Sequence, residues 1–174
     1  MRLRQFSDEV LYCDDKIVKV GRQDIEDLKE RAVGNPRSRI RLCAHRGVED
    51  RLHEMLIIHQ QGAYVRPHKH LGKTESFHVI EGLVDVVVFN EEGGIREVIE
   101  MGDFASGLPF YFRISDADYH TVLIKSDFLV FHETTSGPFK RPETLFAPWA
   151  PPESDGNACN EYTDRLVRAV EDQP

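Results

Sequence analysis

Between Gly62 and Gly82 the chain reads GAYVRPHKHLGKTESFHVIEG. His68 and His70 are two residues apart, and on a β-strand that step puts both imidazoles on one face. Glu75 follows after the four residues LGKT, enough for a short loop that brings a second strand alongside. Two imidazoles and a carboxylate converging on one point form a ligand set for a first-row transition metal. The flanking glycines, Gly62 and Gly82, suit tight turns or bulges where the strands reverse.

The spacing is Gly62, five residues, His68-Lys69-His70, four residues, Glu75, six residues, Gly82. It resembles the first motif of the cupin superfamily. The resemblance implies a mainly β, single-domain jelly roll (a double-stranded β-helix). It also implies a divalent metal, Fe, Mn, Zn or Ni, held by His68, His70, Glu75 and a histidine from a second motif. His120 is the candidate, with Gly102-Asp103 opening that motif's turn. The Pro-x-Gly usual just ahead of this histidine is absent, which predicts a longer or differently shaped loop. Arg37 to His45 (RSRIRLCAH), the metal motif, and the tail from Gly137-Pro138-Phe139 to Ala147-Pro148-Trp149-Ala150-Pro151 together resemble the WbuC family of cupin-fold metalloproteins. That family is associated with surface polysaccharide gene clusters.

Other classes are disfavoured by composition. At 174 residues the chain suits one domain, divided as 1–37 (strands and helix), 38–135 (barrel) and 136–174 (Pro-rich tail and helix). A net charge of −8 argues against a nucleic-acid partner. No apolar run nears the roughly 18 residues of a membrane helix. The first ten residues, MRLRQFSDEV, hold no apolar signal-peptide core, and the three cysteines are odd in number and far apart. Both features predict reduced thiols and a cytoplasmic location. Extra segments at both ends of the barrel predict a homodimer.

Taken in order, Val10 to Tyr12 and Ile17 to Val20 read as strands around Asp14-Asp15. A helix N-capped by Asp24 places Ile25, Leu28 and Ala32 on one face, stops at Gly34-Asn35-Pro36 and is expected to cover a sheet edge. Strands are predicted over 38–45, 53–59, 64–70, 75–81, 83–90, 95–101, 110–114, 119–126 and 128–135. The Pro-rich tail around Phe146 and Trp149 is expected to lie across the barrel wall or a partner subunit. Cys159 to Val170 reads as a final helix.

On an unbroken strand from Tyr64 to His70, alternation sets Tyr64 and Arg66 on the face of the two histidines. Tyr64 could then give a proton and Arg66 hold an anion, with Glu75 as ligand or base. His78 is expected to point outward, and Phe77 and Val79 to line the interior. On the last strand either Leu129, Phe131 and Glu133 or Val130 and His132 face inward. Cys43, His45, His53 and His59 form a second constellation whose spacing matches no zinc template. Three functions stay open: a metal-dependent isomerase or oxygenase acting on a small polar, sugar-like substrate; a small-molecule binding or sensing module; and a barrel stapled by a structural metal.

Overall fold

The computed structural model describes residues 1–173. Twelve strands and two helices appear in it. They are β1 (Leu3–Gln5), β2 (Val10–Cys13), α1 (Arg22–Val33), β3 (Arg39–Cys43), β4 (Leu52–Gln60), β5 (His68–His70), β6 (Glu75–Glu81), β7 (Leu83–Phe89), β8 (Ile95–Gly102), β9 (Tyr111–Ile114), β10 (Tyr119–Ile124), β11 (Phe128–Ser136), β12 (Thr144–Phe146) and α2 (Gly156–Glu171). They build a seven-stranded sheet, β1-β2-β3-β4-β11-β6-β9, and a five-stranded sheet, β12-β5-β10-β7-β8. This is a jelly roll: mainly β, two sheets enclosing one interior.

Three apolar clusters explain the strand patterns. Met55, Ile57, Phe77, Val79, Val86, Met101, Leu129 and Phe131 fill the space between the sheets. Leu42, Leu56, Ile58 and Val130 point the other way and pack under Leu28 and Ala32 of α1. On the opposite wall, Val87 and Phe89 pack under Leu166 of α2 and Ala147 and Ala150 of the tail. Strands β4, β7 and β11 are therefore apolar on both faces. Each fully buried Val or Leu contributes about 1.5–3 kcal/mol, so these strands carry much of the stability.

The turn glycines behave as their spacing predicts. Gly62 and Gly82 have φ of +83° and +96°. A Cβ at Gly82 would sit 2.2 Å from the Phe128 carbonyl oxygen, so only glycine fits.

Several boundaries differ from expectation. Ile17 to Val20 is not a strand; β2 instead pairs antiparallel with β1 and parallel with β3. α1 starts three residues earlier, with Gly21 as N-cap, and Asp24 accepts the Gly21 N–H at 2.8 Å from the third helical position. α1 covers a sheet face, not an edge. The strand expected from Tyr64 begins only at His68. The tail does cross the barrel wall: β12 pairs with β5, and Trp149 packs on Phe89 with ring centroids 5.0 Å apart.

Candidate metal centre

His68 and His70 come from β5, Glu75 opens β6 and His120 lies on β10 opposite His68. The barrel thus brings the four residues to one place. His70 Nε2 is 3.1 Å from Glu75 Oε2, and His120 Nε2 is 3.6 Å from Glu75 Oε1. The ring of His68 lies 5.0 Å from that of His70 and 4.8 Å from that of His120, centroid to centroid.

What orients the rings is the other nitrogen of each. His68 Nδ1 meets the Arg66 carbonyl at 2.9 Å, and His120 Nδ1 meets the Asp118 carbonyl at 3.0 Å. A carbonyl only accepts, so both rings carry the proton on Nδ1 and keep a lone pair on Nε2 when neutral. His70 Nδ1 meets Thr144 Oγ1 at 3.0 Å, and a hydroxyl can serve either tautomer. Thr144 belongs to β12, so the tail supplies part of this site.

Charge follows burial. Desolvation, helped by His120, drives His68 down to about 3, so it is neutral at ordinary pH. Burial alone would raise Glu75, but the neighbouring imidazoles of His120, His70 and His68 outweigh it and hold the carboxyl well below its usual range. For His120, burial opposes protonation and the Glu75 carboxylate overrides it, so its pKa is raised. At 3.6 Å that contact is electrostatic, and His120 Nε2, fully buried, has no hydrogen-bond partner. Among the described residues no three His, Cys, Asp or Glu side chains stand ready to hold an ion; Glu75 instead bridges His70 and His120. The donor set still fits a divalent transition metal, because three imidazoles with Nδ1 engaged gather beside one carboxylate and the His120 Nε2 is orphaned.

Tyr64 and Arg66 are placed elsewhere. The Tyr64 hydroxyl donates to the Pro151 carbonyl at 3.0 Å, and Arg66 Nη2 donates to the Ala147 carbonyl at 3.0 Å while its guanidinium lies over the Phe146 ring. Burial pushes the Tyr64 phenol up. Neither side chain hydrogen-bonds to Glu75 or the three imidazoles. The alternation that joined them to His68 and His70 needs a strand, and residues 63–67 are not one.

Leu129, Phe131 and Glu133 are the inward set of β11, and Val130 faces α1. Phe77 and Val79 line the interior, whereas His78 is exposed against Phe110. Glu133 is a second carboxyl in the barrel. Desolvation, then the charge of Glu75, raises it to about 8. The second constellation splits: His45 and His53 stack at 4.1 Å with planes 4° apart, while His59 packs edge-on against Phe131 at the other end of β4. A groove of about 580 Å³ between α1 and β6 and a space of about 60 Å³ behind α2 both lie away from the four-residue cluster.

A family described as Domain of unknown function (DUF6016) matches residues 20–101. No curated protein matches. Among solved structures the chain is similar to a protein from Shewanella oneidensis (12% identity, 74% of this chain and 83% of that chain, TM-score 0.53). It is also similar to the capsular polysaccharide assembling protein CapF from Staphylococcus aureus (22% identity, 64% of this chain and 32% of that chain, TM-score 0.50). The Cnp3 cupin domain of Schizosaccharomyces pombe is a looser likeness (14% identity, 56% and 64%, TM-score 0.44). The chain thus spans about a third of CapF. What the chain shares with these structures is the fold.

Proposed function

We propose that this jelly roll is a metal-dependent enzyme. His68, His70, Glu75 and His120 hold one divalent transition ion, and the substrate is small, polar and sugar-like. One observation carries the reading: three imidazoles, each with Nδ1 engaged, gather inside the barrel, and two of them, His70 and His120, present Nε2 to the Glu75 carboxylate. A site with such donors supplies Lewis-acid or oxygen chemistry at whatever positions the protein leaves open.

The chain's own residues do the rest. Neutral His68 keeps its Nε2 lone pair at ordinary pH. Glu75 stays ionised, as ligand or as the base that takes a substrate proton. Phe77, Phe112 and Phe131 exclude water from the floor beneath it. Tyr64 and Arg66 act here as positioning residues, because they tie the tail carrying Thr144 to the segment that leads into β5.

A likeness to the WbuC family, and a role linked to surface polysaccharide, fit the motif and tail together. Three buried, unpaired cysteines suit a reducing cytoplasm. No helix among the described residues is long and apolar enough to cross a membrane. Ile80, Phe104, Phe110 and Tyr111 leave apolar surface at the β6–β9 end, suited to a homodimer.

Metal content tests the reading. Purified protein reconstituted with iron, manganese, zinc or nickel should hold about one ion per chain, and the His68→Ala, His70→Ala double variant should hold none. A wild-type chain that retains no metal under any of these conditions sinks it.

A further inference from the structure

The loop that joins two of the four site residues is held by the tail. Leu71-Gly72-Lys73-Thr74 connects His70, at the end of β5, to Glu75, at the start of β6. Gly72 sits at φ +64°, a region glycine enters without strain, and both Leu71 and Gly72 are exposed. The shape of this loop sets how far apart the His70 imidazole and the Glu75 carboxylate stand, 3.1 Å from Nε2 to Oε2.

Contacts to the loop come from the end of β11 and the stretch behind it. The Leu71 N–H donates to the Glu143 carbonyl at 2.8 Å, and the Thr74 carbonyl accepts from the Thr135 hydroxyl at 3.1 Å. Lys73 adds three contacts of its own. Its Nζ donates to the Pro138 carbonyl at 2.8 Å, stands 3.6 Å from Glu143 Oε2 and lies 5.6 Å from the centre of the Phe139 ring. All three partners fall within residues 138–143.

Burial gives this contact its meaning. The Lys73 side chain is only 8% exposed, and an ammonium taken out of water must regain its partners from protein. A carbonyl, a carboxylate and an aromatic face supply them. An apolar side chain of the same length would fill the space without the desolvation cost, so what the ammonium adds is the link to the tail.

The far side of the same stretch is anchored as well. The Gly137 N–H donates to the Arg51 carbonyl at 2.9 Å, and the Phe139 N–H to the Val48 carbonyl at 2.8 Å. A Cβ at Gly137 would collide with the Asp50 carbonyl, so the backbone sits flush on that loop. Residues 137–143 therefore run between a loop at 48–51 and the ligand-bearing loop at 71–74, and they lead into Thr144 behind His70.

We propose that Lys73 is a positioning residue for the metal centre. Its ammonium clamps residues 138–143 onto the His70–Glu75 loop, and the clamp fixes the spacing of those two ligands. The clamp stands on the loop contacts alone; its consequence for the metal rests on the reading above.

Cobalt(II) is the probe, because its visible bands report the arrangement of its ligands. Lys73→Met nearly keeps the length of the side chain and removes its charge. This variant should still take up cobalt, with shifted bands and with release to a chelator about tenfold faster than wild type. Lys73→Arg should restore most of both. Glu143→Gln, which weakens the clamp from the tail side, should move both in the direction of Lys73→Met, less far. Lys140→Met removes an exposed lysine that also pairs with Glu143, at 3.3 Å, and should change neither. In metal-free protein the Leu71 amide should exchange its hydrogen several-fold faster in Lys73→Met, which reads the clamp without the metal. Wild-type bands and release rate in Lys73→Met overturn the inference, and so does unchanged Leu71 exchange. A wild-type chain that takes up no metal, with Leu71 exchange still quickened in Lys73→Met, keeps the clamp and sinks the metal reading.

Discussion

Two histidine groups meet one row of the seven-stranded sheet, one through Glu75 and the other through His53, and they have opposite fates. Glu75 pairs with Thr135, and Thr135 pairs with His53, which stacks on His45. At the Glu75 end, each imidazole meets a partner at Nδ1, and the Nε2 atoms of His70 and His120 face the carboxylate. At the His53 end the rings lie face to face, 4.1 Å apart. Parallel stacked rings direct their lone pairs side by side, not to a common point. His45 spends Nδ1 on the Glu54 backbone, and His53 Nε2 is buried without a partner beside Gly137. Buried histidine is therefore not a sufficient sign of a metal site. A partner at Nδ1 and a facing carboxylate are what separate a ligand set from packing.

The sharpest break in that comparison is to remove the second pair. His45→Ala with His53→Ala should leave metal content near one per chain, yet lower stability by about 2–4 kcal/mol, since two buried rings are lost. Urea unfolding and metal analysis on one preparation read both numbers. Loss of metal in this variant would place the pair in the centre and end the distinction.

A gentler change sharpens it from the other side. Thr144→Val keeps the shape of β12 and removes the oxygen that meets His70 Nδ1. Metal affinity should fall about tenfold, in the range found when a partner behind a ligand is lost, while metal still binds at saturation. Competition against a chelator measures it. Unchanged affinity would mean that β5 alone orients His70.

How much of this was legible in the sequence depends on the kind of backbone. His68, His70 and Glu75 are readable because a two-residue step on a strand and a short loop need no knowledge of the rest of the fold. His120 follows only through the likeness to a second motif, since nothing local distinguishes it from a packed histidine. Tyr64 and Arg66 mislead because the period-two rule extends across Pro67 into irregular chain, where side chains no longer alternate. Glu133 resists for a different reason. Strand β11 buries one face in the barrel and the other under α1, so no polar face marks outside and inside. Thr144 is 74 residues from His70 and sits in a Pro-rich segment with no strand pattern. Only the β5–β12 pairing brings it in.

A pH dependence also sets the two ends of the row apart. In the metal-free protein Glu133 titrates near 8 when folded, against an ordinary 4.5, because burial and the charge of Glu75 disfavour its ionised form. A raised carboxyl contributes stability while protonated. That contribution is complete below about 4.5 and is lost as pH rises through about 8. His120 adds to the same trend, since its raised pKa favours the charged form beside Glu75 and is lost as pH climbs above the ordinary 6.5. Glu75 has the opposite sign: its depressed pKa stabilises the fold above 4.5 and fails only in acid. Metal-free wild type should therefore melt progressively lower from pH 5 to pH 9. Glu133→Gln, neutral at every pH, should remove most of that slope and keep the smaller part due to His120. His45 is held below its ordinary pKa, first by burial, so it carries its proton only in acid and cannot supply a slope between pH 7 and 9. A slope that survives in Glu133→Gln and disappears in His45→Ala would move the alkaline sensitivity from the centre to the stacked pair.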